Sequence, residues 1–181
     1  MNFTPEQRLI VGLLCDIHQQ LEIPNSFDPE MINDAIQTGN EWAIDVRYGD
    51  YLGSGVTDQR FMFIGNVFSM CEAIENSFAS LSPEDQDAVR AGTIFNASRA
   101  FDGFDGNNES SFMSAARFMV NKLELFRHFE GREFNSHAPS LDGYRRMLEA
   151  FNRVAEPYSH HGLSVAQIIE IMNEKIHPSN R

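Results

Sequence analysis

Apolar side chains recur every three or four residues along most of the chain, and this spacing predicts α-helices. The first helix has clear start signals: Thr4 suits the N-cap, Pro5 the first helical position, and Gln7 completes a capping box. A helix this short gains its stability from packing, so we expect its apolar face to pack against the rest of the chain. That face contains Ile10, Leu13, Leu14, Ile17 and Leu21.

The next segment predicts two short elements and a loop. Asp28, Pro29 and Glu30 open a helix that Gly39 ends. Residues 41–48 fit either a helix or a short strand, and we favour a helix because no neighbouring segment offers a strand partner. Residues 49–55 hold three glycines and predict a loop, but their spacing is not that of a phosphate-binding loop.

Residues 57–81 predict a central helix that is apolar around most of its circumference, as in a helix buried on all sides. After it, Ser82 and Pro83 open a short acidic helix that ends near Gly92. The apolar positions of the central helix form two rows: Phe61, Ile64, Phe68, Cys71 and Phe78, and Phe63, Val67, Met70 and Ile74.

Three more helices are predicted in the C-terminal half of the chain. The first is long, covering residues 110–130, and Gly131 closes it. The second begins at Pro139 and ends before Pro157. The third begins with a capping box of Ser164 and Gln167, and Pro178 ends it.

Together these elements predict an all-α fold, a single compact multi-helix domain of about seven helices around the buried helix 57–81. A chain of 181 residues can bury a core without disulfides or metals, and its fifteen Phe and eight Met supply core volume. We therefore assign residues 1–181 to one domain. Residues 49–56 are the best point for a division into an N-terminal helical subdomain and a C-terminal core.

Composition narrows the possible partners and location. The chain has 14 Lys and Arg against 26 Asp and Glu, a formal net charge of −12. Broad contact with nucleic acid or anionic lipid needs clustered cations, so we expect neither partner. Cys15 and Cys71 lie within apolar helical patterns, which predicts reduced core thiols. With no apolar run long enough for a signal peptide or membrane span, we expect a cytoplasmic protein.

The helix predicted over residues 110–130 carries one polar line on an otherwise apolar surface. Arg117, Asn121, Glu124 and His128 follow each other in steps of four, three and four. These side chains could form a structural seam of ion pairs, or the wall of a cleft in which Glu124 and His128 move protons and Arg117 holds an anion. Further candidates for the same cluster are Asp105, in the loop before this helix, and Arg146, on the next helix.

Other motifs are weaker. Arg132 and His137 fit the R-x4-H pattern of the HEPN ribonucleases, in which Arg would stabilise a phosphate and His would transfer a proton. His160 and His161 could join another His at a metal, but adjacent side chains point in different directions, and we predict no metal site. No cofactor motif is present, and we predict no cofactor.

Several short blocks lie among the predicted elements, and the most specific are R-F-M-V-N at 117–121 and H-F at 128–129. Together these blocks resemble the YfbU family of bacterial proteins. The resemblance implies an all-α fold and a bacterial cytoplasmic setting, and it adds weight to Arg117, Asn121 and His128, but it implies no reaction. Its other blocks are E-Q-R-L-I at 6–10, G-N-E-W-A at 39–43, G-F-D at 103–105, F-N at 134–135, Y-R-R-M-L at 144–148 and L-S at 163–164.

From the sequence, the leading hypothesis is a non-enzymatic interaction or regulatory module that forms a homo-oligomer. Its basis is a well-formed core with surplus aromatic and Met residues and no established catalytic motif. The alternative is a metal-independent hydrolase or ribonuclease that uses His128 or His137 with a nearby Arg.

Overall fold

The computed structural model describes residues 3–24, 27–55, 58–154 and 162–180. In these ranges the chain forms α-helices, three short 3-10 turns and no β-strand, which confirms the all-α prediction. No helix of the described part is long and apolar enough to cross a membrane. The helices are α1 (Pro5–Gln20), α2 (Pro29–Gln37), α3 (Trp42–Leu52), α4 (Gln59–Ser80), α5 (Pro83–Gly92), α6 (Ser110–Asn121), α7 (Leu141–Val154) and α8 (Val165–Asn173).

Most helix starts lie where local chemistry predicts them. Thr4 and Ser164 each form the expected capping box, and Asp28 and Ser82 accept from the first-turn amides of α2 and α5. The ambiguous segment 41–48 is helical, as we favoured. The loop expected at 49–55 begins later than predicted, because α3 continues through Gly49 to Leu52 and ends at Gly53, where φ is +63°.

The chain divides into two compact units. Unit 1 contains Met1–Phe61 and Ser114–Glu130, and unit 2 contains Met62–Met113 and Gly131–Arg181. The chain crosses between the units at 61/62 within α4, at 113/114 within α6 and at 130/131, and none of these crossings lies within residues 49–56.

In unit 1, α2 packs against both α1 and α3. Trp42 is buried, with its ring 5.0 Å from Phe61 and 6.2 Å from Phe118. Its indole N–H donates to Asn40, a buried amide that also donates to the hydroxyl of Ser114 at 3.0 Å. This polar knot at the start of α3 is satisfied internally, as buried polar groups must be.

In unit 2, α5 and α7 both pack against α8, and an aromatic cluster fills the interior. Phe101 is at its centre, with ring centroids 5.0 to 6.1 Å away. α4 buries the apolar rows predicted for it at Ile64, Val67, Phe68, Met70, Cys71, Ile74 and Phe78. The rings around Phe101 belong to Phe68, Phe104, Phe134 and Tyr144.

Two predictions about helices are wrong. The helix predicted over 110–130 ends at Asn121, because Glu124 and Phe126 adopt left-handed backbone conformations with φ of +55° and +52°. That backbone buries Leu123 and Phe129 without helical spacing. The second concerns α1: the helix packs against α2, as expected, but the side chains of its predicted apolar face remain between 52% and 65% exposed. α1 contacts α2 through the opposite side, which carries the buried Cys15.

Candidate functional site

The polar line predicted on helix 110–130 does not exist as one line. Arg117 and Asn121 are exposed on α6, and neither side chain makes a hydrogen bond or ion pair to the described residues. Glu124 lies beyond the end of α6, is exposed, and pairs with Arg127. His128 is half-buried in a 3-10 turn, with its ring edge-on to Phe129 at 5.0 Å. Because α6 ends at Asn121, helical spacing does not bring Glu124 and His128 into line with Arg117 and Asn121.

Asp105, the loop member of the predicted cluster, has a structural role. It is buried, accepts from the backbone N–H of Asn107 at 3.0 Å, and also accepts from the side-chain amide of Asn108. These bonds hold the pKa of Asp105 below its usual range. The carboxylate therefore fixes the turn that leads into α6.

Glu109, which the sequence did not single out, joins the same loop to α7. One of its oxygens accepts from the backbone N–H groups of Ser140 and Leu141 at 2.9 and 3.0 Å, and the other from the N–H of Asp105. Burial raises the pKa of Glu109, but these donors outweigh burial and the pKa is lowered. A carboxylate at the N-terminus of α7 also interacts favourably with the helix dipole.

Arg132 and His137 do not form the arrangement that the ribonuclease pattern requires. The Arg132 guanidinium binds both oxygens of the buried Glu75 at 2.9 and 2.6 Å. Glu75 also accepts from the backbone N–H of Ala100 at 2.8 Å. His137 is exposed, with a left-handed φ of +55°. Arg132 is committed to a structural ion pair, and its charge is compensated before any phosphate arrives. His160 and His161 lie outside the described residues.

Arg146, the last of the predicted residues, lines a cleft in unit 2 with a volume of about 470 Å³. The cleft lies between the start of α7, the loops at 102 and 136–140, and the residues after α8. Its charged and imidazole side chains are Arg146, Lys175, His177, Asp102 and Asp142, and Ser136 and Ser140 add hydroxyl groups. Its apolar surface comes from Phe95, Ala138, Pro139 and Tyr144. No short sequence pattern could have identified this site, because its residues are separated by up to 82 positions, from Phe95 to His177.

Two residues of the cleft wall are tightly held. Lys175 donates to the carbonyl of Ala100 at 2.8 Å and to Asp102, with its ammonium 5.3 Å from the centre of the Phe95 ring. Arg146 donates from Nε to the carbonyl of Glu174 at 2.9 Å and from Nη2 to that of Lys175 at 3.1 Å. Arg146 thereby satisfies carbonyls at the C-terminal end of α8.

Besides the cleft of unit 2, the structure shows a second candidate site, an exposed apolar face on α1 in unit 1. Six aliphatic side chains on this helix are between 52% and 65% exposed, although a soluble helix normally turns its polar side to water. They span about 140° of the helix circumference. We call them the α1 apolar face: Leu9, Ile10, Leu13, Leu14, Ile17 and Leu21.

The family described as the YfbU domain matches residues 1–174. The chain belongs to the YfbU domain family. This confirms the resemblance found in the sequence. The UPF0304 protein MJECS11 of Methanocaldococcus jannaschii is 25% identical over 172 residues, which cover 92% of this chain and 96% of that protein. Since that relative is archaeal, the likeness does not by itself place the chain in bacteria.

The blocks that carry the YfbU resemblance mostly serve the fold. In G-N-E-W-A, Asn40 and Trp42 form the buried knot described above. In G-F-D, Gly103 has a φ of +97°, and a Cβ there would lie 2.5 Å from the backbone of Phe134. Phe118 in R-F-M-V-N is buried against Trp42. Membership of the family therefore supports the architecture without selecting a catalytic site.

Proposed function

We propose that this YfbU-domain chain is a non-enzymatic interaction module that assembles with a second copy of itself through the α1 apolar face. The observation that carries the proposal is the exposure of six large aliphatic side chains on one helix. Single exposed apolar residues are ordinary, but a contiguous patch of this kind marks an interaction surface.

The area of the patch suits a second copy. The exposed parts of the six side chains amount to roughly 500 Å², near the upper end of what monomers present. A standard interface takes about 800 Å² from each partner, so the apolar face would supply its centre and the polar flanks its rim. Two copies of one amphipathic helix bury each other's faces in a closed, two-fold arrangement.

The residue spacing of the face fits a two-helix seam. Ile10, Leu14, Ile17 and Leu21 follow each other in steps of four, three and four, as do the core positions of a coiled coil. Glu6 lies on the same side of the helix near its N-terminus. A parallel pair would bring two Glu6 carboxylates and two like ends of the helix dipole together. We therefore propose antiparallel packing of the two α1 helices.

Sedimentation velocity over a range of concentrations tests the assembly. We expect a dimer at micromolar concentration that dissociates on dilution. A monomer at 100 µM, about a hundredfold above a micromolar Kd, would overturn the proposal.

Cysteine cross-linking tests the orientation. In an antiparallel pair Leu14 lies near the two-fold axis, so L14C should cross-link to itself with a short bis-maleimide. Ile10 lies far from its own copy but near Leu21, so I10C should cross-link only when mixed with L21C. Cross-linking of I10C with itself would indicate a parallel pair. The unsubstituted protein is the control, because Cys15 and Cys71 are both buried.

The hydrolase or ribonuclease alternative has less support. Arg132 is held by Glu75, while His137 is exposed and His128 packs against Phe129. Incubating the pure protein with RNA and with phosphoesters tests it directly. Cleavage abolished by H128A or H137A in a folded variant would overturn our choice.

A further inference from the structure

We propose that the cleft of unit 2 binds a small organic anion, with its carboxylate or phosphate against Arg146 and its apolar body against Phe95 and Tyr144. A volume of about 470 Å³ falls within the range of small-molecule sites. The lining joins aromatic and aliphatic surface to a few polar groups, as such sites do.

The charge of the cleft follows from its ion pairs. Asp102 is paired with Lys175, and Asp142 forms a largely exposed pair with Arg145 at 2.8 Å. Arg146 bonds to two backbone carbonyls and has no carboxylate partner among the described residues. The α8 carbonyls offset part of its charge, and Nη1 makes no hydrogen bond in the described part. Arg146 is therefore the cation at this wall that is open to an anion.

Backbone donors lie beside this cation. The N–H groups of Leu141 and Ser140 are taken by Glu109, but those of Asp142 and Gly143 bond to nothing in the described residues. Both residues line the cleft. A Cβ placed on Gly143 would lie 4.0 Å from Nη2 of Arg146, so the glycine brings the first turn of α7 close to the guanidinium.

The net charge of the chain disfavours anions, so anion binding would have to be specific to the cleft. A net charge of −12 repels an anion at a distance. Anion binding, if observed, must therefore come from local contacts, and it should survive added salt better than binding to a broad basic surface would.

The test uses benzoate, phenyl phosphate, the neutral benzamide and the cationic benzylamine, titrated into ¹⁵N-labelled protein. We expect benzoate or phenyl phosphate to shift the amide resonances of Asp142, Gly143 and Lys175. The preferred anion should bind about tenfold or more tightly than benzamide, as one charge-assisted contact implies. The stronger of the two identifies carboxylate or phosphate as the ligand chemistry. Equal binding of benzamide, a preference for benzylamine, or no shift at these amides overturns the proposal.

Two variants locate the binding. R146Q should weaken the preferred anion about tenfold, whereas R153Q should leave its affinity within about twofold. Arg153 is the matched control, since it also lies on α7 and bonds to α8, through Glu170, but does not line the cleft. Equal effects of the two changes would contradict the proposal.

G143A covers the possibility that R146Q disturbs the fold. Its methyl group would meet Lys175 and Arg146 at ordinary contact distances of 3.8 to 4.0 Å, and alanine stabilises a helix relative to glycine. We expect a higher Tm together with anion affinity reduced by about threefold or more, because the methyl group fills space beside the guanidinium. A higher Tm with unchanged affinity would place the anion elsewhere.

Discussion

Replacing Leu14 with alanine should weaken self-association strongly while leaving the folded monomer almost unchanged. Leu14 lies in the middle of the α1 apolar face and is 58% exposed. Complete burial of a leucine is worth about 1.5–3 kcal/mol, so covering its exposed part contributes about 1–1.5 kcal/mol per copy. A two-fold interface contains the residue twice, which gives about 2–3 kcal/mol per dimer and raises Kd about 30- to 150-fold.

The free energy of unfolding should change far less than it would after a core substitution. An exposed change of this kind alters the free energy of unfolding by about 0.5 kcal/mol or less, whereas Leu→Ala in a core costs about 2–5 kcal/mol. Sedimentation equilibrium gives Kd, and urea unfolding at concentrations well below Kd gives the stability of the monomer. I94A is the control, because Ile94 is 84% exposed but belongs to unit 2 and not to the α1 apolar face.

Two results would refute this reasoning. Loss of about 2 kcal/mol or more from the monomer would show that the chain itself covers Leu14. An unchanged Kd in L14A, or an equal rise in Kd in I94A, would show that the α1 apolar face is not the interface.

Three further predictions concern buried groups. R132M removes the guanidinium from the buried Glu75 and should lower the free energy of unfolding, measured in urea, by about 3–5 kcal/mol. The double variant E75M/R132M should regain much of this stability, and no regain would argue against a charge effect. E109Q should cost about 1–3 kcal/mol at pH 7. Because the folded-state pKa of Glu109 is lowered, its stabilisation is complete above the unfolded pKa of about 4.3 and is lost as the pH falls through the folded pKa. The stabilities of wild type and E109Q should therefore converge in acid. A difference that stays constant with pH would contradict this. Burial raises the pKa of the Cys71 thiol, which should react with a disulfide reagent only after unfolding; rapid labelling of the native protein would show otherwise.

Local chemistry made much of the fold predictable. Capping boxes, prolines at first helical positions and a left-handed glycine after α3 act over a few residues, so a single sequence displays them completely. The segment 110–130 differs, because its residues all permit a helix and no Gly or Pro interrupts it. The chain nevertheless leaves the helix after Asn121, and Leu123 and Phe129 are buried by non-helical backbone. Periodicity cannot detect an interruption that tertiary packing imposes.

The candidate cleft was hidden from the sequence for a related reason. The sequence places Arg146 next to the predicted polar line, but in the structure it lies beside Lys175, which no sequence pattern connects to it. Charges that are compensated in the fold, such as Arg132, look the same in sequence as charges that are open to a ligand. Only the bonding partners distinguish them, and those partners are distant along the chain.

For helix α1, the sequence predicts the apolar face but not the chain that covers it. An amphipathic pattern reports that a face must be covered, but it does not report which chain covers it. We expected the row from Ile10 to Leu21 to pack internally, whereas the helix uses the side around Cys15 for α2 and leaves that row in water. A helix with apolar residues on two opposite sides has one more packing surface than its own unit fills. If the second surface packs against another copy, residues 5–21 carry both the pattern for the core and the pattern for assembly, and the L14A measurement separates the two.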